Sequence, residues 1–402
     1  MKTLSKLLLT VLFSLYSVIL FATSYTWNGG TSTAWGTGTN WTPNGVPGSG
    51  DNVTIVTTSN QPVYDGVAGV TNLTMTSGTL NLSGYQLNIT GTATFNGGTI
   101  NNGRVNATGG TSTFSGTTFG AVVWVNSGSI ALANSVFNDS LHITKSGSGV
   151  NYAGGDNTFN GHTIIENSGS GSLYTSNYAA DTFNVKVVYK NTGNGGLVLD
   201  ANGYGTSSAT VYNGDVEIIN TGTSGYISMN NRKKYFNGNV VINNTSTSGV
   251  SFGNGPHYLA TGKTISIGST GFTAGTLVLK NIIQVGTQSH TFTTTGSTTR
   301  LELSGNTFNG IVNGSSAQLL FHYNTFNDSI HLTKTGAGLE YSSGDNTFNE
   351  YAVIENTGSG GILTSNYAAD TFNVKVVYKN TGNGSITADV NGYNTSSATV
   401  YN

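Results

Sequence analysis

The sequence predicts an all-β fold, a right-handed parallel β-helix or solenoid, from three observations. One long block occurs twice without a gap: 136–213 aligns with 325–402 at an offset of 189, and the run SNYAADTFNVKVVYKNTGNG is identical at 176–195 and 365–384. Within the block an aromatic residue followed by Asn recurs at Phe137, Phe159, Phe183, Tyr212 and Phe236, at intervals of 22, 24, 29 and 24. It returns at Phe326, Phe348, Phe372 and Tyr401, at intervals of 22, 24 and 29. Four and six places after each aromatic stand mostly apolar residues: Leu141 and Ile143, Thr163 and Ile165, Val187 and Tyr189, Val216 and Ile218, Val240 and Ile242. Even spacing puts the three on one face of a strand. A period of two inside a period of 22–29 means one strand-bearing coil per repeat. An antiparallel sandwich or a propeller competes, but propeller blades need roughly 40–50 residues per repeat.

The N-terminus comes first. Lys2 and Lys6 precede an apolar run over 7–21, and Ala22-Thr23-Ser24 offers small residues for cleavage. Residues 1–24 therefore read as a secretory signal peptide. An uncleaved anchor is the alternative, and the run is short for a span. No later segment is apolar enough to cross a bilayer, so no transmembrane span is expected after cleavage. The expected location is extracellular, either secreted or on the outer cell surface.

Residues 25–55 form an N-terminal cap. They hold Trp27, Trp35 and Trp41 with Pro43 and Pro47. A solenoid must cover its first coil, or a strand edge and bare core face water. A sugar-binding platform is the other use for these rings. The β-helix is expected over 56–402, about 16 coils and a rod on the order of 75 Å. Its early coils alternate cleanly, with apolar Leu73, Met75, Leu80, Leu82, Leu87, Ile89 and Phe95 and turns at Gly78, Gly84 and Gly91. The superrepeat copies run over about 111–213 and 300–402, joined by 251–299. The last coil has only begun at Asn402, so the chain reads as C-terminally truncated.

The aromatic residues should stack as an interior column, and the Asn that follows each should form a hydrogen-bonded amide column. Disorder, the other reading of 57 Gly in 402 residues, is opposed by this regular buried stripe. Charged residues make up 8 % and the net charge is −2, which indicates neither a nucleic-acid binder nor an acidic tail. There is no Cys, so stacking rather than disulfides must hold the fold.

A β-helix enzyme needs clustered carboxylates, flanking a sugar bond or holding Ca²⁺. In a solenoid, clustering means like positions in adjacent coils. Columns pair Glu166 with Lys190, Glu355 with Lys379 and Lys186 with Asp215, as exposed register pairs. The best acids are Asp156 with Asp181, copied as Asp345 with Asp370. They could meet on one turn around a cation, or each could cap its own turn. His142 and His331 are copies, neither with a second His in its column, so no metal and no cofactor are expected. Arg232-Lys233-Lys234 reads as a solvated turn. Tyr178 and Tyr204, copied as Tyr367 and Tyr393, could stack on sugar rings or pack over a corner.

The Trp-rich head YTWNGGTSTAWGTGTNWTPNGVPGSGDNVTI, the NTFNG-type coils and the SGSG turns resemble the large secreted repeat proteins of Gram-negative bacteria. These include parallel β-helix adhesins, autotransporter-passenger-like chains and surface cargo with a C-terminal sorting domain. The resemblance implies a non-enzymatic stalk or adhesin presenting repeated loops to polysaccharide or a neighbouring cell surface. A carbohydrate-active β-helix enzyme, pectate-lyase-like or glycoside-hydrolase-like, is one alternative. A pure spacer within a larger surface protein is another.

Overall fold

The computed structural model describes residues 22–201, 208–388 and 399–402. The expected signal peptide, Tyr204 and Tyr393 therefore lie outside the described residues, the signal peptide all but its last three residues. The chain is an all-β parallel solenoid of about 15 turns. Strands of the stack pair in parallel with the strand in the same position one coil on, as Leu141 does with Thr163, Thr163 with Val187 and Val187 with Val216.

Through the superrepeat a coil has three strands rather than the single one that the periodicity reveals. The second coil of the first copy carries Thr158–Phe159, Thr163–Asn167 and Leu173–Thr175. The first strand ends on the column aromatic and the second carries the alternating apolar pair. The third is short and has no consensus of its own, so sequence periodicity does not reveal it.

Stacking of identical positions aligns the rings. Consecutive centroids from Phe137 to Phe236 lie 5.4, 4.5, 5.2 and 5.0 Å apart, with interplanar angles of 7–9°. The second copy repeats this from Phe326 through Phe348 and Phe372 to Tyr401. The strand spacing sets the ring separation, so the aromatic column follows from the parallel register. On the outer side of the same strands the Asn amides link head to tail. Asn160 donates to Asn138 at 2.8 Å, Asn184 to Asn160 at 2.6 Å, Asn213 to Asn184 at 2.8 Å and Asn237 to Asn213 at 2.9 Å.

Between the copies both columns stop. Leu259 and then Gln284 take the aromatic position after Phe236, and the column resumes at Phe308, which stacks on Phe326. Gln284 is buried, and its side-chain carbonyl accepts from the backbone of Asn309 at 2.9 Å. Polar self-satisfaction thus replaces ring stacking for one coil.

The corners require Gly for close approach. A Cβ on Gly147, Gly169, Gly193 or Gly222 would fall well inside van der Waals contact with the carbonyl of the Gly one coil before. The SGSG turns record this constraint.

At the N-terminal end, Trp27, Trp35 and Trp41 are fully buried. Trp41 meets Trp27 and Trp35 edge-on at 4.9 and 4.6 Å. Two of the indole N–H groups find backbone carbonyls, Trp41 on Trp35 at 2.8 Å and Trp27 on Asn60 at 2.7 Å. Strand Trp41–Thr42 pairs antiparallel with the first strand, Ser24–Trp27, at the edge of its sheet. These rings are core and cannot serve as a platform. No helix among the described residues is long and apolar enough to cross a membrane.

Candidate functional site

The paired aspartates do not share a site. Asp156 stands three places before its aromatic and Asp181 two, so strand alternation sends them to opposite sides of the backbone. Asp156 is exposed and Asp181 is buried. Asp156 and its copy Asp345 sit in the left-handed region, at φ 61° and 60°, where Asp is among the few tolerated residues. Asp181 closes an interior ladder. Asn157 donates its backbone N–H and its amide to one oxygen, and Ser176 Oγ donates to the other at 2.6 Å. In the second copy Asn306, Asn324 and Asn346 run the same way into Asp370. Burial pushes the Asp181 carboxyl up to about 6, against the lowering effect of the Ser176 and Asn157 hydrogen bonds. Among the described residues no group of three or more His, Cys, Asp or Glu could hold a metal ion.

The charge columns form with two changes, the first being that Glu166 and Glu355 are buried rather than exposed. Lys190 reaches Glu166 at 3.3 Å and Lys379 reaches Glu355 at 2.9 Å. Each Glu also meets the histidine of the coil before, His142 at 3.8 Å and His331 at 2.9 Å. The contact with His142 leads the causes that hold the Glu166 carboxyl down at about 2. A reading by columns misses these histidines because they lie two places off the Glu position. Lys186 does not pair with Asp215. It reaches Glu217 at 2.6 Å, two places further along the next strand, while Asp215 accepts from the backbone of Asn239 at 2.8 Å.

The basic run is not a solvated turn. Arg232 and Lys234 are 0 % exposed and both engage Asp200, each at 3.2 Å. Alternation turns both cations inward and leaves Lys233 outside, near the rings of Tyr235 and Tyr258 at 5.9 and 6.0 Å. Thr210 also donates to Asp200 at 2.7 Å. Desolvation lowers the Lys234 ammonium while Asp200 opposes it. A second interior lysine position, Lys145 and its copy Lys334, caps corner carbonyls. Lys145 donates to Gly147 and Gly171 at 2.6 and 2.7 Å.

Exposed aromatics recur among the described residues, Tyr152 and its copy Tyr341 included, and two features stand out. Tyr178 and Tyr367 occupy one corner of the two copies, 63 % and 55 % exposed. Their backbone N–H groups bond to Gly154 and Ser343, so the corner is fixed while the ring projects. The other feature is Trp124, 44 % exposed on the outer face of strand Thr118–Ser127. Asn106, Val125, Asn126, His142 and Thr144 line a concavity of about 310 Å³ beside it. Arg104 lies over the indole, its Cζ 4.1 Å from the ring centroid. His142 meets the indole edge-on, with centroids 6.3 Å apart. Trp124 escapes a reading built on repeats because its counterpart in the second copy is Asn313.

No family model, no curated protein and no solved structure matches the chain.

Proposed function

We propose that the chain is a non-enzymatic secreted or cell-surface rod, a stalk or adhesin that presents repeated loops to polysaccharide or to a neighbouring cell. The observation that carries this reading is the repetition of an exposed tyrosine, Tyr178 and Tyr367, on like corners of one continuous stack. Copies held at a fixed spacing convert weak contacts into avidity. The acids best placed in sequence for catalysis support the reading in a second way: Asp181 and Asp370 have their oxygens occupied by interior donors. The signal-like N-terminus and the resemblance to Gram-negative surface proteins supply the location.

The test is a glycan array together with product analysis on pectin-like polymers. Retention on glycans with no new reducing ends or unsaturated products is expected. Polymer cleavage by the purified chain would replace this reading with the enzyme.

A further inference from the structure

Trp124 is the exception among the four tryptophans. The other three are fully buried, and it alone is exposed. Leaving an indole in water forfeits burial that a Trp ordinarily gains, and the second copy shows that the coil does not require it. There Asn313 stands opposite His331 in the same register in which Trp124 stands opposite His142. The retained His, Glu and Lys pairs serve stacking in both copies, so the indole is the addition.

Its surroundings define a ligand chemistry. Arg104 packs on the ring but is not among the walls of the concavity, so the ring is held while 44 % of Trp124 stays exposed. Asn106 is anchored through its Nδ2 to Asn88 at 2.8 Å, which fixes the amide and leaves its oxygen to accept. Asn126 is exposed and Thr144 half-buried on the next two coils. The nearby carboxylate, Glu166, is already engaged by His142, Thr192 and Lys190. An aromatic face ringed by amides, a hydroxyl and an imidazole, with no unpaired acid, matches a ring that is apolar on its faces and hydroxylated at its rim. The volume is at the small end of ligand sites, roughly 300–1,000 Å³.

We propose that the concavity beside Trp124 binds one neutral hexopyranose unit of a glycan chain, stacked on the indole and hydrogen-bonded by Asn106, Asn126 and Thr144. The inference rests on the reading that the rod meets polysaccharide, and it names a site on the sheet face rather than at the tyrosine corners.

Because Trp124 is the exposed indole, acrylamide quenching of tryptophan fluorescence reports on this site. The probes are cellohexaose, mannohexaose and maltohexaose, with hexagalacturonate as the acidic comparison. At least one neutral hexamer should shield Trp124. In calorimetric titration Trp124→Ala should weaken its binding at least tenfold, Trp124→Phe should stay within about threefold and Asn313→Ala should leave it unchanged. If a neutral hexamer binds wild type and Trp124→Ala equally, the site is wrong and the polysaccharide reading stands. Binding of hexagalacturonate alone overturns the ligand class. Binding of none of the four overturns both the site and the reading beneath it.

Discussion

Asn157 donates both its backbone N–H and its side-chain amide to the same oxygen of Asp181, at 2.8 and 3.0 Å. Asn346 does the same to Asp370 in the second copy, at the same two distances. The carboxylate is thus the terminal acceptor of an interior amide ladder. Its folded carboxyl, near 6, lies above the ordinary value of about 3.9, so between these values the folded chain holds a proton that the unfolded chain has released. Stability therefore falls as pH rises from about 4 to about 6. Asp181→Asn should remove that part of the slope, seen as a urea midpoint that varies less with pH than in wild type. Asp181→Ala, which strands three donors, should cost about 2–4 kcal/mol.

The Asp200 cluster predicts a larger and more local effect. Removing the anion by Asp200→Asn leaves Arg232 and Lys234 buried without their carboxylate, and a loss of about 3–5 kcal/mol is expected. Lys233→Ala, the next residue in the chain but outside, should change stability by less than about 1 kcal/mol. Equal effects of the two in chemical denaturation would remove the case for an interior cluster.

Glu166 behaves in the opposite sense to Asp181. Its folded carboxyl is held at about 2, below its ordinary value, so its contribution is present above about pH 4.5 and is lost as pH falls toward 2. Glu166→Gln should lower the thermal midpoint at pH 7, by an amount corresponding to about 1 kcal/mol or less. At pH 2 the midpoints of variant and wild type should converge.

The corner glycines that face the preceding coil, Gly147, Gly169, Gly193 and Gly222, admit no side chain. Gly169→Ala should destabilise by roughly 1–3 kcal/mol through overpacking against the previous coil. Gly149→Ala, where a Cβ would meet nothing within 4 Å, should be near neutral. Paired melting curves of the two variants separate close approach from backbone conformation.

How far the sequence speaks depends on whether a property repeats. The column of Phe137, Phe159 and Phe183 and the amide ladder beside it are legible because one register generates every contact. The pairing of Glu166 with Lys190 is legible for the same reason. Arg232 and Lys234 are not, because a basic triplet looks solvated in isolation and their anion, Asp200, sits far back in the chain. Counting proximity to the aromatic joins Asp156 and Asp181, when the parity of that count separates them. Trp124 stays hidden because it is where the copies differ. Repetition exposes architecture and conceals the single departures in which recognition resides.

Coils in this rod differ in length by more than half. Phe119 pairs with Phe137 and Phe183 with Tyr212, the shortest and longest steps in the aromatic column of the first copy. Yet the amide bond spanning the longer of two coils, Asn213 to Asn184, measures 2.8 Å, as does that spanning a shorter one, Asn160 to Asn138. Every coil advances the axis by one strand spacing, about 4.8 Å, whatever its residue count. Residue count therefore does not set the axial step. The molecule is therefore a ruler graduated in coils, and an insertion at a corner changes its outline without moving any mark along its length.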